Sequence, residues 1–75
     1  MNGELTAEAA LRQIWTEVLE LDEVDAADNF FDLGADSMQA VEVVLRAREN
    51  GLRIEVPDLF TTDTLAELAT LAGGR

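Results

Sequence analysis

Residues 30–44 read FFDLGADSMQAVEVV, and the change of pattern inside that stretch decides the fold. From Asp36 onward apolar side chains return every three or four positions, which is the period of a helix. Gly34 just before it suits the tight backbone turn that leads into such a helix. With Asp36 as N-cap, Ser37 takes the first helical position and Gln39 the third. That spacing predicts a reciprocal cap between the Asp36 carboxylate and Gln39. The helix is expected to run from 36 to about 50, with Gly51 as its C-terminal stop.

Ser37 is the only serine in the chain, which also contains no histidine, cysteine, lysine or tyrosine. A serine hydroxyl without a nearby base is a poor nucleophile, so a hydrolytic triad is excluded. The residue is better placed to have a group attached to it by another protein. At a helix start the free N–H groups and the positive end of the dipole favour a negative group. A phosphodiester and a simple phosphate would both suit that field, and position alone does not separate them.

The same helix carries more apolar surface than one core contact needs. Advancing about 100° per residue, Ala40, Val43, Val44 and Ala47 fall in one sector; Met38, Val41 and Leu45 fall in a second. A stripe about 100° wide is enough for packing on one side of a small bundle. Met38, Val41 and Leu45 are therefore expected to form a partly exposed patch beside Ser37 that docks partner proteins, unless other segments wrap the helix and bury both sectors. A flexible methionine thioether suits such a surface.

Outward from this helix, Thr6 caps a first helix over about 6–21, with Leu11, Ile14, Trp15, Val18 and Leu19 on its inner stripe. Trp15 on that stripe reads as core filler. Residues 22–35 form a long loop, of a length that is functional or pinned by its own side chains. At least one of Phe30 and Phe31 should plug into the core. Downstream, residues 52–56 read as an extended connection with Leu52, Ile54 and Val56 inward. Pro57 opens a short third helix over about 57–60. A capping box of Thr64 and Glu67 starts a fourth over about 64–71, with Leu65, Leu68 and Leu71 buried and the GGR tail frayed. The predicted fold is all-α: a small four-helix bundle of three main helices and a short third, with a long loop between the first two, forming a single domain over 1–75.

Composition narrows the function classes. An apolar fraction of 48% is that of a globular chain. A core this small provides a stability of only about 3–5 kcal/mol. Without cysteine, neither a disulfide nor a thiolate metal site supplements it. No apolar run approaches the roughly 20 residues of a membrane span, and the N-terminus lacks an export pattern; a cytoplasmic monomer is expected. Sixteen acids against five arginines give a net charge of −11, which argues against nucleic acid or an anionic membrane as partner. Seven of the acids lie between Glu20 and Asp36 without a single base. Acidic excess serves solubility or steers basic partner proteins, and the clustering before Ser37 favours steering. A calcium loop fails on spacing, since Phe30 stands where an oxygen ligand would be needed between Asp28 and Asp32.

The run DNFFDLGADSM (residues 28–38), followed by a helix, the segment GLRIEVPDLF (51–60) and the helix opening TLAEL (64–68), resembles the phosphopantetheine-dependent carrier proteins over roughly Leu11 to Leu71. The resemblance implies a non-catalytic four-helix carrier with a 4′-phosphopantetheine arm on Ser37. A phosphopantetheinyl transferase would place the arm, and an acyl or aminoacyl group would ride on its thiol as a thioester. It also implies partner contacts at Met38, Val41 and Leu45, and matches Asp36 to the acid before the motif serine. DNFFDLG and the GLRIEVPDLF–TLAEL ending are most similar to peptidyl carriers of nonribosomal peptide synthesis. Such carriers work with an adenylation or other loading enzyme and with condensation or tailoring enzymes. Ala35 in place of a second glycine, and the strong acidity, keep a polyketide-type acyl carrier as the alternative. From a different class, an acidic helical interaction domain whose serine is structural or phosphorylated is the rival reading. A start at Met1 and an end at Arg75 lead to the expectation of a discrete protein acting in trans, unless the chain is cut from a larger synthetase.

Overall fold

The computed structural model describes residues 6–73, and among them all regular structure is helical. Four α-helices follow in order: α1 (Ala7–Leu19), α2 (Ser37–Glu49), α3 (Val56–Thr61) and α4 (Leu65–Gly73). Helix α1 packs against both α2 and α4, and the short α3 leans on α2. Leu11, Trp15, Val43, Ile54, Leu65 and Leu68 form the innermost part of the single core. Trp15 is core, as expected, although its Nε1–H has no hydrogen-bond partner there.

The helix ends follow the cap chemistry. Thr6 Oγ1 accepts from the Ala9 N–H (3.0 Å) and starts α1. The helix closes earlier than 21, because Glu20 adopts a left-handed conformation (φ 56°) and the Leu21 N–H returns to the Thr16 carbonyl. Helix α2 ends in a Schellman turn: Leu52 N–H reaches Ala47 O (2.9 Å) and Gly51 N–H reaches Arg48 O (3.0 Å). Gly51 takes the φ of 84° that this turn demands. Helix α3 begins at Val56, one residue before the expected Pro57, and Asp58 caps it by accepting from the Glu55 N–H (2.8 Å).

Two expectations need correction in α4. It extends to Gly73 rather than stopping near 71, so the first residue of the GGR tail is helical; Gly74 and Arg75 lie outside the described residues, as do residues 1–5. Its buried stripe is Leu65, Leu68, Ala69 and Ala72, while Leu71 is half-buried. The stripe turns toward the alanines on the helix that packs against α1. Val18 and Leu19, expected inward on α1, are likewise half-buried at the bundle's edge.

The long connection is more structured than a plain loop over 22–35. It contains a 3₁₀ turn at Phe31–Leu33, and its backbone is stitched to α4. The Leu65 and Ala66 N–H groups donate to the carbonyls of Asp28 (2.9 Å) and Ala26 (3.0 Å). The Asn29 side-chain amide donates to the Asp63 carbonyl (2.8 Å). Thr64 Oγ1 takes the Glu67 N–H (3.1 Å), but the Glu67 carboxylate reaches back to the Asp63 N–H (2.8 Å) instead of completing the box at Thr64. The Leu65, Ala66 and Glu67 N–H groups, which a helix start leaves over, thus find partners, and the loop supplies two of the three. Val24 and Phe30 then plug into the core from the same segment.

Candidate functional site

Ser37 opens α2, directly after the turn that Gly34 makes at φ 95°. The Asp36 carboxylate accepts from the Gln39 N–H (2.8 Å), and the Asp36 N–H donates to Gln39 Oε1 (3.0 Å). This is the reciprocal cap that the spacing predicted. The Asp36 carbonyl also accepts from the Ala40 N–H (3.0 Å). Ser37 sits inside this ring of bonds, yet its side chain is exposed, and among the described residues its hydroxyl has no hydrogen-bond partner. Helix geometry leaves the amides of the first two positions, Ser37 and Met38, without intrahelical acceptors. A phosphodiester on Ser37 would therefore meet free hydroxyl geometry, open space and a favourable local dipole. The residues present fit such a group.

The two sectors of α2 separate sharply. Ala40, Val43, Val44 and Ala47 are buried, with Val44 at 5% exposure. Met38, Val41 and Leu45 are 77%, 42% and 56% exposed. Three apolar side chains at i, i+3 and i+7 thus line one solvent-facing stripe that begins beside Ser37.

Two further features were not singled out from sequence. Phe60 on α3 is 58% exposed and stacks on Phe31 (ring centroids 4.7 Å, 26° between planes). Phe31 meets Phe30 edge-on at 5.2 Å, and Phe30 reaches Trp15 at 5.0 Å, so an aromatic series runs from the core to the surface. A six-residue helix shows too few turns for its faces to be read from periodicity. Asp58 and Leu59 take the buried side of this helix, and Phe60 lies on the side left open.

The second is Arg46, which bonds Glu42 on its own helix (2.8 Å) and Glu17 on α1 (3.3 Å). The Glu42–Arg46 spacing of four was the available signal for the first pair. The hydrogen bond to Glu42 is the main reason its proton is held more tightly than in an ordinary arginine, with Glu17 adding to the effect. Arg46 lines a shallow groove together with Asp36, Met38, Glu17, Glu20 and Glu42. The surroundings of Ser37 are accordingly acidic with an apolar stripe.

Residues 9–72 match the family of the phosphopantetheine attachment site. This chain belongs to that family. It is 44% identical over 70 residues to one of the linear gramicidin synthase proteins of Brevibacillus parabrevis, covering 93% of this chain and 1% of that protein. It is 43% identical over 67 residues to a phenolphthiocerol/phthiocerol polyketide synthase protein of Mycobacterium tuberculosis, covering 89% of this chain and 4% of that protein. The chain therefore spans only a few hundredths of these relatives' length.

Among solved structures, a nonribosomal PCP domain superposes with a TM-score of 0.84 at 40% identity, covering 93% of this chain and 91% of the other. The solution structure of a prototype peptidyl carrier domain of modular peptide synthetases gives 0.76 at 30% identity, with 93% of each chain covered. The expected all-α carrier fold is borne out, as is membership of the carrier family, with peptidyl carriers as the structural neighbours. Members of this family are non-catalytic and hold 4′-phosphopantetheine covalently on a serine. The arm's terminal thiol supplies the thioester through which such a carrier holds its cargo. Among the described residues no helix is long and apolar enough to cross a membrane.

Proposed function

We propose that Ser37 is the residue that receives the 4′-phosphopantetheine arm, and that this domain carries an aminoacyl or peptidyl group during nonribosomal peptide assembly. One observation carries the assignment: the family attaches its arm to a serine, and the chain's only serine stands exposed at the start of α2 with an unspent hydroxyl. Asp36 shapes the helix start as its cap. Met38, Val41 and Leu45 are the apolar docking stripe for the enzymes that load and unload the arm, and the surrounding acids steer those enzymes if they are basic. Partners of this kind are a phosphopantetheinyl transferase, an adenylating or other loading enzyme, and condensation or tailoring enzymes. The domain acts as a monomer in the cytoplasm, where coenzyme A is available.

Intact mass after incubation with coenzyme A and a promiscuous transferase tests the assignment. One phosphopantetheine mass should be gained, and Ser37→Ala should abolish the gain while leaving the helical circular dichroism unchanged. A mass gain retained in Ser37→Ala would remove Ser37 from the role. A second reading, a polyketide-type acyl carrier, is favoured by the polyketide synthase relative and by Ala35 before the cap. Loading of the modified chain by amino-acid-adenylating enzymes, compared with acyltransferases, separates the two.

A further inference from the structure

We infer, on the carrier reading above, that Gln39 is a positioning residue for the modification of Ser37: its clamp on Asp36 fixes where the helix begins, and that register leaves the serine hydroxyl unspent. Aspartate and serine are nearly equal as helix N-caps. Asp36 and Ser37 are adjacent, so α2 has two competent caps one residue apart. Were the start to slip by one position, Ser37 Oγ would turn inward and accept from the Ala40 N–H, as N-cap hydroxyls do. The oxygen needed for attachment would then be part of the helix's own hydrogen bonding.

Three bonds hold the observed register. Gln39 N–H reaches the Asp36 carboxylate (2.8 Å), and Ala40 N–H reaches the Asp36 carbonyl (3.0 Å). Both are donated by backbone and would survive most substitutions at 39. The third, from Asp36 N–H to Gln39 Oε1 (3.0 Å), depends on the side chain at 39 alone. The competing start has no equivalent, because a cap at Ser37 would need a side-chain acceptor at residue 40, and that residue is alanine. Gln39 is therefore what breaks the near-equality of the two caps. It need not touch coenzyme A. In the transfer, Ser37 Oγ forms a bond to the phosphorus next to pantetheine, the bond from that phosphorus to the oxygen of 3′,5′-ADP breaks, and the hydroxyl proton passes to a base of the transferase. An Oγ already engaged with the Ala40 amide faces away from that phosphorus.

The experiment compares apo wild type, Gln39→Ala, Gln39→Glu and Thr6→Ala as substrates of one transferase with coenzyme A, following both intact mass and the Hα–Hβ couplings of Ser37 by NMR. Thr6→Ala removes the cap of α1, far along the chain from Ser37, and serves as the control for a general loss of helix stability. Gln39→Ala should lower kcat/KM by up to about twofold, because loss of the bond that separates two near-equal caps leaves the two starts about equally populated, and should shift the Ser37 couplings toward an average that includes the inward rotamer. Gln39→Glu keeps the acceptor and should restore both. Thr6→Ala should be modified at the wild-type rate. Unchanged rate and couplings in Gln39→Ala would overturn the inference, as would an equal slowing in Thr6→Ala. A wild type that gains no mass would instead overturn the carrier reading, and this inference with it.

Discussion

The two faces of α2 are built from the same kinds of side chain and do opposite things. Ala40, Val43, Val44 and Ala47 are sealed against α1 and the core, whereas Met38, Val41 and Leu45 stand in solvent a fraction of a turn away. Hydrophobicity cannot distinguish them, since valine appears on both. The difference lies in what each face gains by being covered. Burying the inner face drives folding within the chain; on the proposed reading, the outer face is covered when another protein binds. A monomer normally avoids such a stripe, and here it begins next to the chain's only serine.

Substitutions on the two faces should therefore fail in different assays. Val43→Ala has the largest expected effect: it empties a fully buried position and should cost about 2–3 kcal/mol in urea unfolding. Against a total of only a few kcal/mol, a visible unfolded fraction should appear in the native baseline. Met38→Ala and Leu45→Ala should each change unfolding by less than about 0.5 kcal/mol, yet raise the KM of a loading enzyme roughly tenfold if their burial drives docking. Equal KM values for wild type and both variants would break the comparison.

Two smaller effects sharpen it. Glu20→Gly relieves a non-glycine residue held at positive φ and should raise stability by about 1 kcal/mol. Glu20 lies beside the groove near Met38, so any accompanying fall in loading rate reports its charge rather than its packing. Finally, the loading rate should decline several-fold from low to moderate salt if the acids around the outer face steer a basic partner. A rate flat in salt would leave the apolar stripe as the sole recognition element.

Much of this was legible in the sequence because it depends on neighbours within a few positions. The Asp36–Gln39 cap, the Gly51 stop, the burial of Trp15 and the split of α2 into two sectors each follow from local spacing. What escaped depends on segments far apart in the chain. The 3₁₀ turn at Phe31–Leu33 forms within a loop whose Ala26 and Asp28 carbonyls take the first amides of α4, partners that no short window contains. Phe30 and Phe31 are indistinguishable by pattern, and only the packing of Trp15 on one side and Phe60 on the other assigns them to core and rim. The same holds for Arg46, whose second partner, Glu17, lies 29 residues away.

Composition and short-range periodicity alone determined that this chain is a four-helix domain presenting a single serine at a capped helix start, because caps, turns and amphipathic stripes are set by contacts within one or two turns. Which apolar residues are left outside, how the long loop is fastened to α4, and where Phe60 points were decided only when the helices docked. Those outcomes depend on area and hydrogen bonds shared between distant segments, and such shared terms exist only in the assembled bundle.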